Sequence, residues 1–71
     1  MSDSLFIGFI RTQDGDKPKK FFSSWASAVA WAREQNIKLK ASSILDYSYY
    51  AIERSSDGTQ LRTTDNRRRR P

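Results

Sequence analysis

The pattern of apolar positions along the chain predicts several strands and a single helix. Residues 5–12 are rich in aromatic and β-branched side chains and predict a first strand. Asp14 and Gly15 predict the tip of a turn, and residues 19–22 predict a short second strand. Pro18 would keep this second strand at the edge of a sheet, because proline cannot donate a ladder hydrogen bond.

A helix is predicted over residues 23–36. Ser23 or Ser24 can cap its first turn, and alanine, a strong helix former, recurs along it. Steps of about 100° per residue place the apolar side chains of an amphipathic helix on one stripe, namely Trp25, Ala28, Val29 and Ala32. We expect the helix to end near Asn36, and residues 37–45 fit either an extended piece or a helical turn.

A second hairpin is predicted after the helix. Residues 46–54 read as a strand, Asp57 and Gly58 as a turn, and residues 60–64 as the returning strand. The order of elements predicts an α+β, two-layer fold in which one antiparallel sheet of three to four strands packs a single helix on one face. We expect one domain over residues 1–64 and a flexible basic tail over residues 65–71.

Both faces of the predicted sheet carry apolar side chains, although one helix covers only one face. We assign to the helix-covered face Leu5, Ile7, Phe9, Tyr50, Ile52 and Leu61. The other face would then carry the partner-binding residues Phe6, Ile10, Tyr47 and Tyr49. A one-residue slip would exchange the faces and move the docking surface to Leu5, Phe9 and Tyr50. The tail, residues 37–45 or a second copy in a homodimer are alternative covers for the surplus aromatic surface.

The net charge of +5 is concentrated at the C-terminus. Without the run of Arg67, Arg68, Arg69 and Arg70, nine of the 13 cationic side chains remain against eight acidic ones, so the body is nearly neutral. Guanidinium groups bind phosphate, and the run therefore indicates nucleic acid or another polyanion, although a solubilising tail explains it equally well.

A second basic cluster lies next to two phenylalanines. Lys17, Lys19 and Lys20 precede Phe21 and Phe22, and this combination is typical of a protein that binds single-stranded nucleic acid. The alternative is an edge strand whose lysines prevent aggregation while the phenylalanines enter the core.

The composition excludes most small-enzyme chemistry. The chain has no cysteine and no histidine, so it can form no disulfide, Ser-His relay or ordinary zinc site. Asp14, Gly15 and Asp16 begin like a calcium loop, but the remaining ligands are missing. We therefore expect no catalytic residue, metal or cofactor. No segment is apolar enough for a signal peptide or a membrane span, so a cytoplasmic location is the default expectation.

The architecture resembles that of a known class of small proteins. The strand over residues 5–12, the helix opened by Ser24, Trp25 and Ala26, and the hairpin over residues 47–64 resemble the compact design of many small phage-encoded proteins, including anti-CRISPR and other host-takeover inhibitors. Residues 17–34 also resemble the strand-to-helix junction of the arm-binding domains of tyrosine integrases.

Two functions follow from these observations. The first resemblance implies an inhibitor or adaptor that binds a host protein or nucleoprotein in the host cytoplasm. On that interpretation the aromatic sheet face docks on the partner and the arginine tail contacts phosphate. The alternative is a nucleic-acid-binding module that uses the tail and the region from Lys17 to Lys20.

Overall fold

Four antiparallel strands form one open sheet, and a single helix packs on one of its faces. The computed structural model describes residues 4–65, and the strand order is β2-β1-β3-β4. The elements are β1 Leu5–Thr12, β2 Gly15–Phe22, α1 Trp25–Ala41, β3 Ser48–Arg54 and β4 Gln60–Thr63. The α+β, two-layer fold predicted from the sequence is therefore confirmed, and β2 lies at an edge as Pro18 indicated. Within the described residues, no helix is long and apolar enough to cross a membrane.

The first hairpin is longer than predicted because its turn is tight. Gly15 adopts φ 123°, a conformation that L side chains rarely accept, and it pairs directly with Thr12. The Thr12 hydroxyl accepts a hydrogen bond from the Asp14 N–H and donates one to the Gly15 carbonyl. Pairing therefore starts at Gly15, and a bulge after Gly8 places Pro18 opposite Phe9.

The helix begins where predicted and continues past its predicted end. The Ser24 hydroxyl accepts a hydrogen bond from the Ser27 N–H, so Ser24 is the N-cap. The helix runs to Ala41 instead of ending near Asn36. It closes with two hydrogen bonds characteristic of a Schellman motif, from the Ser43 N–H to the Lys40 carbonyl and from the Ile44 N–H to the Leu39 carbonyl.

Asn36 is a tertiary contact instead of a helix cap. Its side-chain amide donates to the Tyr49 carbonyl at 2.9 Å, and its side-chain oxygen accepts from the Tyr49 N–H at 2.8 Å. β4 is too short to reach Tyr49, so the asparagine supplies the partner that a longer strand would provide. Two residues further along β3, the Thr64 hydroxyl accepts a hydrogen bond from the Ala51 N–H, and the Thr64 N–H donates one to the Ala51 carbonyl. The backbone N–H and carbonyl groups of Tyr49 and Ala51, on the outer edge of β3, therefore all have hydrogen-bond partners.

The core between the helix and the sheet combines small and aromatic residues. Ala28, Ala32 and Ala51 are buried at its centre, and five partly buried aromatic side chains pack against them: Phe6, Phe22, Trp25, Trp31 and Tyr49. A Cβ atom on Gly8 would lie within 2.6 Å of Trp31 Cε3 and closer still to Cζ3. The glycine therefore provides the space in which the indole ring lies against β1.

The predicted assignment of the two faces is wrong. The helix covers the side of Phe6, Gly8 and Ile10, and not the side of Leu5, Ile7 and Phe9. The physical reason is volume: the helix presents two tryptophans, and only the face with Gly8 and Ala51 has small residues that make room for them.

Candidate functional site

The side of the sheet opposite the helix, called the open face below, has a buried apolar centre. Ile7, Tyr50 and Ile52 are buried there, and Phe9 packs against them with its ring stacked on that of Tyr50, 5.4 Å between centroids. These residues are cross-strand neighbours, since Ile7 pairs with Ile52 and Phe9 with Tyr50.

Two large apolar side chains border this centre and remain exposed. Leu5, the first residue of β1, is 47% exposed, and Phe21, which pairs with Ile7 across the sheet, is 62% exposed. Pro18 continues this surface beside Phe9. Leu5, Pro18 and Phe21, with the partly buried Phe9, thus form one apolar surface around the buried Ile7 on the β1–β2 half of the open face, which we call the docking surface.

The other end of the open face is closed by a network of polar side chains. The Arg11 guanidinium contacts the Asp65 carboxylate, lies 3.8 Å from Asp16 through Nε, and donates to the Ser48 hydroxyl at 3.2 Å. The Tyr50 hydroxyl donates to Asp16 at 2.6 Å. Burial raises the pKa of Tyr50, and the Asp16 carboxylate raises it further, so the phenol stays protonated.

This network limits what the aromatic rings on the open face can bind. Arg11 lies 5.0 Å from the centre of the Tyr50 ring, whose neighbour on β1 is the stacked ring of Phe9. Tyr50 is only 8% exposed, so its ring cannot stack on a nucleic-acid base. Phe21 is the exposed ring of the docking surface.

The charges around the docking surface have one sign. Among residues 4–65, Lys19 and Arg54 form no ion pair, and Arg54 pairs with Leu5 across the sheet. Lys20 lies on the helix-covered side, over the ring of Phe22. The acidic side chains nearby are already engaged: Arg11 holds Asp16 and Asp65. The docking surface therefore has an apolar centre and a basic border.

The predicted partner-binding residues do not form a surface. Phe6 and Tyr49 pack against the helix, and Ile10 lies on the same covered side, partly buried. Tyr47 precedes β3, is 46% exposed and lines a shallow cleft with Lys17 and Asp46. The exchanged face assignment named Leu5 and Phe9 but missed Phe21, and the small residues Gly8 and Ala51 were a signal for the face that the tryptophans would need.

Of the predicted basic residues, the structure describes the three lysines but not the four arginines. Lys17, Lys19 and Lys20 all lie on β2 and are exposed. Arg67, Arg68, Arg69 and Arg70, with most of the predicted tail, lie outside the described residues. Asp65, the first residue counted with the tail, is held by Arg11 on the open face.

A second cleft, of about 380 Å³, lies where β4 stops short of the start of β3. Its lining includes Arg11, Asn36, Ser48 and Asp65. These polar groups already bond to one another or to the backbone of β3, which identifies the cleft as part of the fold. Among residues 4–65, no three His, Cys, Asp or Glu side chains come together as a metal site would require.

Comparison of the chain with protein-family models, with curated proteins and with solved structures found no match.

Proposed function

We propose that the chain is a non-catalytic binding protein, an inhibitor or adaptor, that attaches to a protein partner through the docking surface. The observation that carries the proposal is the exposure of Leu5 and Phe21 around the buried apolar centre of the open face. Exposed apolar patches with a charged border are characteristic of protein interaction sites.

The chemistry of the docking surface also defines the partner. Leu5 and Pro18 offer aliphatic area beside the exposed ring of Phe21, and this mainly aliphatic contact favours a protein over a nucleic acid as the ligand of this face. The unpaired Lys19 and Arg54 favour acidic side chains around the apolar contact of the partner. A second copy would bring the same cations together, so self-association is the less favourable occupant.

Site-specific photocrosslinking tests this proposal. A photoreactive phenylalanine analogue replaces Phe21 in one variant and Ala30, on the exposed side of the helix, in another. In the cell that expresses the chain, we expect a discrete adduct from position 21 and none from position 30.

Substitutions then distinguish the docking surface from other exposed apolar residues. Leu5→Asp should reduce the adduct at least tenfold, because it places a charge in the apolar contact. Ile37→Asp and Leu45→Asp change residues that are 67% and 85% exposed elsewhere, and they should leave the adduct unchanged. Equal loss in all three variants, or an adduct unaffected by Leu5→Asp, would refute the proposal. A dimer in light scattering that Leu5→Asp dissociates would assign the surface to a second copy.

A further inference from the structure

The outer edge of β2 is the longest free strand edge among residues 4–65. β2 has eight residues and pairs only with β1, and its outward backbone groups bond to no other part of the described chain. The opposite side of the sheet differs, since Asn36 and Thr64 bond the backbone of β3 where β4 stops short. An unpaired strand edge is a place where an extended segment can add to a sheet.

The alternation of hydrogen bonds across the sheet identifies the groups on this edge. The N–H and carbonyl of Ala51 point away from β1, so those of its neighbour Gly8 point towards β2 and its partner Lys20. The N–H and carbonyl of the next residue, Phe21, therefore point out of the sheet. Pro18 has no N–H, so the edge can pair over the four residues of β2 that follow it, a length of about 13 Å.

The side chains next to this edge differ between the two sides of the sheet. Phe21 points to the open face, where it is 62% exposed and belongs to the docking surface. Lys20 is exposed on the helix-covered side, with its ammonium over the ring of Phe22, and forms no ion pair among residues 4–65. Asp16, the acidic residue of β2, lies 3.8 Å from Arg11. The edge therefore offers apolar area on one side and unpaired positive charge on the other.

We infer that the protein partner contributes an extended segment that pairs with the β2 edge as a fifth strand. Its side chains would alternate, apolar beside Phe21 on the open face and acidic beside Lys20 on the other side. The main-chain bonds at this edge are few, so the docking surface must supply the remaining contact, and the inference rests on the proposed function. A second copy is disfavoured, because pairing of two β2 edges would place lysines opposite one another.

A synthetic peptide tests the predicted pattern. The probe is an end-blocked, fluorescein-labelled peptide of alternating glutamate and valine, and its control is an isomer in which all glutamates precede all valines. In fluorescence anisotropy with the full chain, we expect the alternating peptide to bind at least tenfold more tightly, because only this peptide has an acidic and an apolar side as a strand. Equal binding of the two peptides would reduce the interaction to charge alone and overturn the inference.

A charge exchange at Lys20 tests the acidic side of the added strand. Lys20→Glu should weaken binding of the glutamate peptide at least fivefold, and it should strengthen binding of the same peptide with lysine in place of glutamate. Lys40→Glu makes the same change at an exposed position of the helix and should alter either affinity less than twofold. Equal effects of the two substitutions would contradict an ordered acidic contact beside Lys20.

Backbone methylation tests the strand pairing itself. A chain of 71 residues is accessible to chemical synthesis, so the Phe21 nitrogen can be methylated while the ring is kept. Loss of this outward N–H should weaken peptide binding at least tenfold. Methylation of the Thr63 nitrogen is the matched control: Thr64 bonds inward to Ala51, so the Thr63 N–H points outward on the opposite edge, and affinity should change less than twofold. An affinity undiminished by methylation at Phe21 would overturn the added strand, whereas the Leu5→Asp test of the docking surface would stand.

Discussion

At the scale of single residues, one glycine decides how the helix meets the sheet. The Trp31 ring lies against the backbone of Gly8 and also contacts Phe22 and Tyr49, at centroid distances of 5.5 and 5.2 Å. A side chain at position 8 would displace a rigid ring that has aromatic neighbours, so the space cannot be recovered by a small rotation.

Gly8→Ala should therefore destabilise the fold by about 2–3 kcal/mol, measured by urea denaturation. The double variant Gly8→Ala with Trp31→Leu supplies the control, since a smaller side chain at position 31 removes the clash. We expect the two changes to be strongly non-additive. Additive losses would show that the indole ring does not depend on the glycine.

The same residues show where sequence reasoning failed at this scale. Strand alternation separated Phe6, Gly8 and Ile10 from Leu5, Ile7 and Phe9, and this division is confirmed. Hydrophobicity alone could not choose between the two sets, because both are apolar. Matching side-chain volumes across the layers would have chosen correctly, since two tryptophans on a helix need small residues opposite them.

At the scale of elements, the helix continues past its predicted end because Asn36, which the sequence suggests as a C-cap, lies inside the helix. Asparagine is a poor helix former in a helix interior, and here its two hydrogen bonds to the Tyr49 backbone compensate for that cost. The sequence contains no local sign of that partner, which lies 13 residues away. Both hairpins, in contrast, were predicted from local Asp-Gly pairs, and the second turn lies at Asp57 and Gly58 as expected. In the first hairpin the turn lies one residue earlier than predicted, because Gly15 already pairs with Thr12.

Asn36→Ala should cost about 1–2 kcal/mol, because it leaves the N–H and carbonyl of Tyr49 without partners in a partly buried position. Alanine is the better helix former, so a purely local view predicts the opposite sign. Gln35→Ala, one position earlier on the same helix, should change stability by less than about 0.5 kcal/mol. Chemical denaturation of the two variants measures both values, and a stabilised Asn36→Ala variant would contradict the tertiary role.

The β3–β4 turn should make stability depend on acid pH. Asp57 accepts hydrogen bonds from the Ser55 hydroxyl and the Thr59 N–H, which lower its pKa from 3.8 to about 2. Because the pKa is lower in the folded chain, the stabilisation is complete above about pH 4 and is lost as the pH falls towards 2. Asp57→Asn keeps a turn-forming Asn-Gly pair and removes the titration, so its melting temperature should fall less over this range. Parallel curves for parent and variant would exclude this contribution.

At the scale of the whole molecule, the two sides of the sheet differ in what they expose. The covered side contains the helix contacts, while the open face combines a buried centre with the exposed Leu5 and Phe21. Sequence reasoning anticipated a surplus apolar face. It could not locate that face, because its position depends on packing between layers.

Three neighbouring tyrosines provide the last prediction, since they are of one residue type and occupy three environments. Tyr49 packs edge-on against Trp31 at 5.2 Å, so Tyr49→Ala should cost about 2–4 kcal/mol. Tyr50 lies on the open face, but its burial and its hydrogen bond to Asp16 give Tyr50→Ala a cost of similar size. Tyr47 precedes β3 and is exposed, so Tyr47→Ala should lower stability by less than about 1 kcal/mol. Thermal melts of the three variants measure the order directly. If Tyr49→Ala melted like the parent, the helix would not cover this side of the sheet, and the docking surface assigned to Leu5 and Phe21 would be wrong.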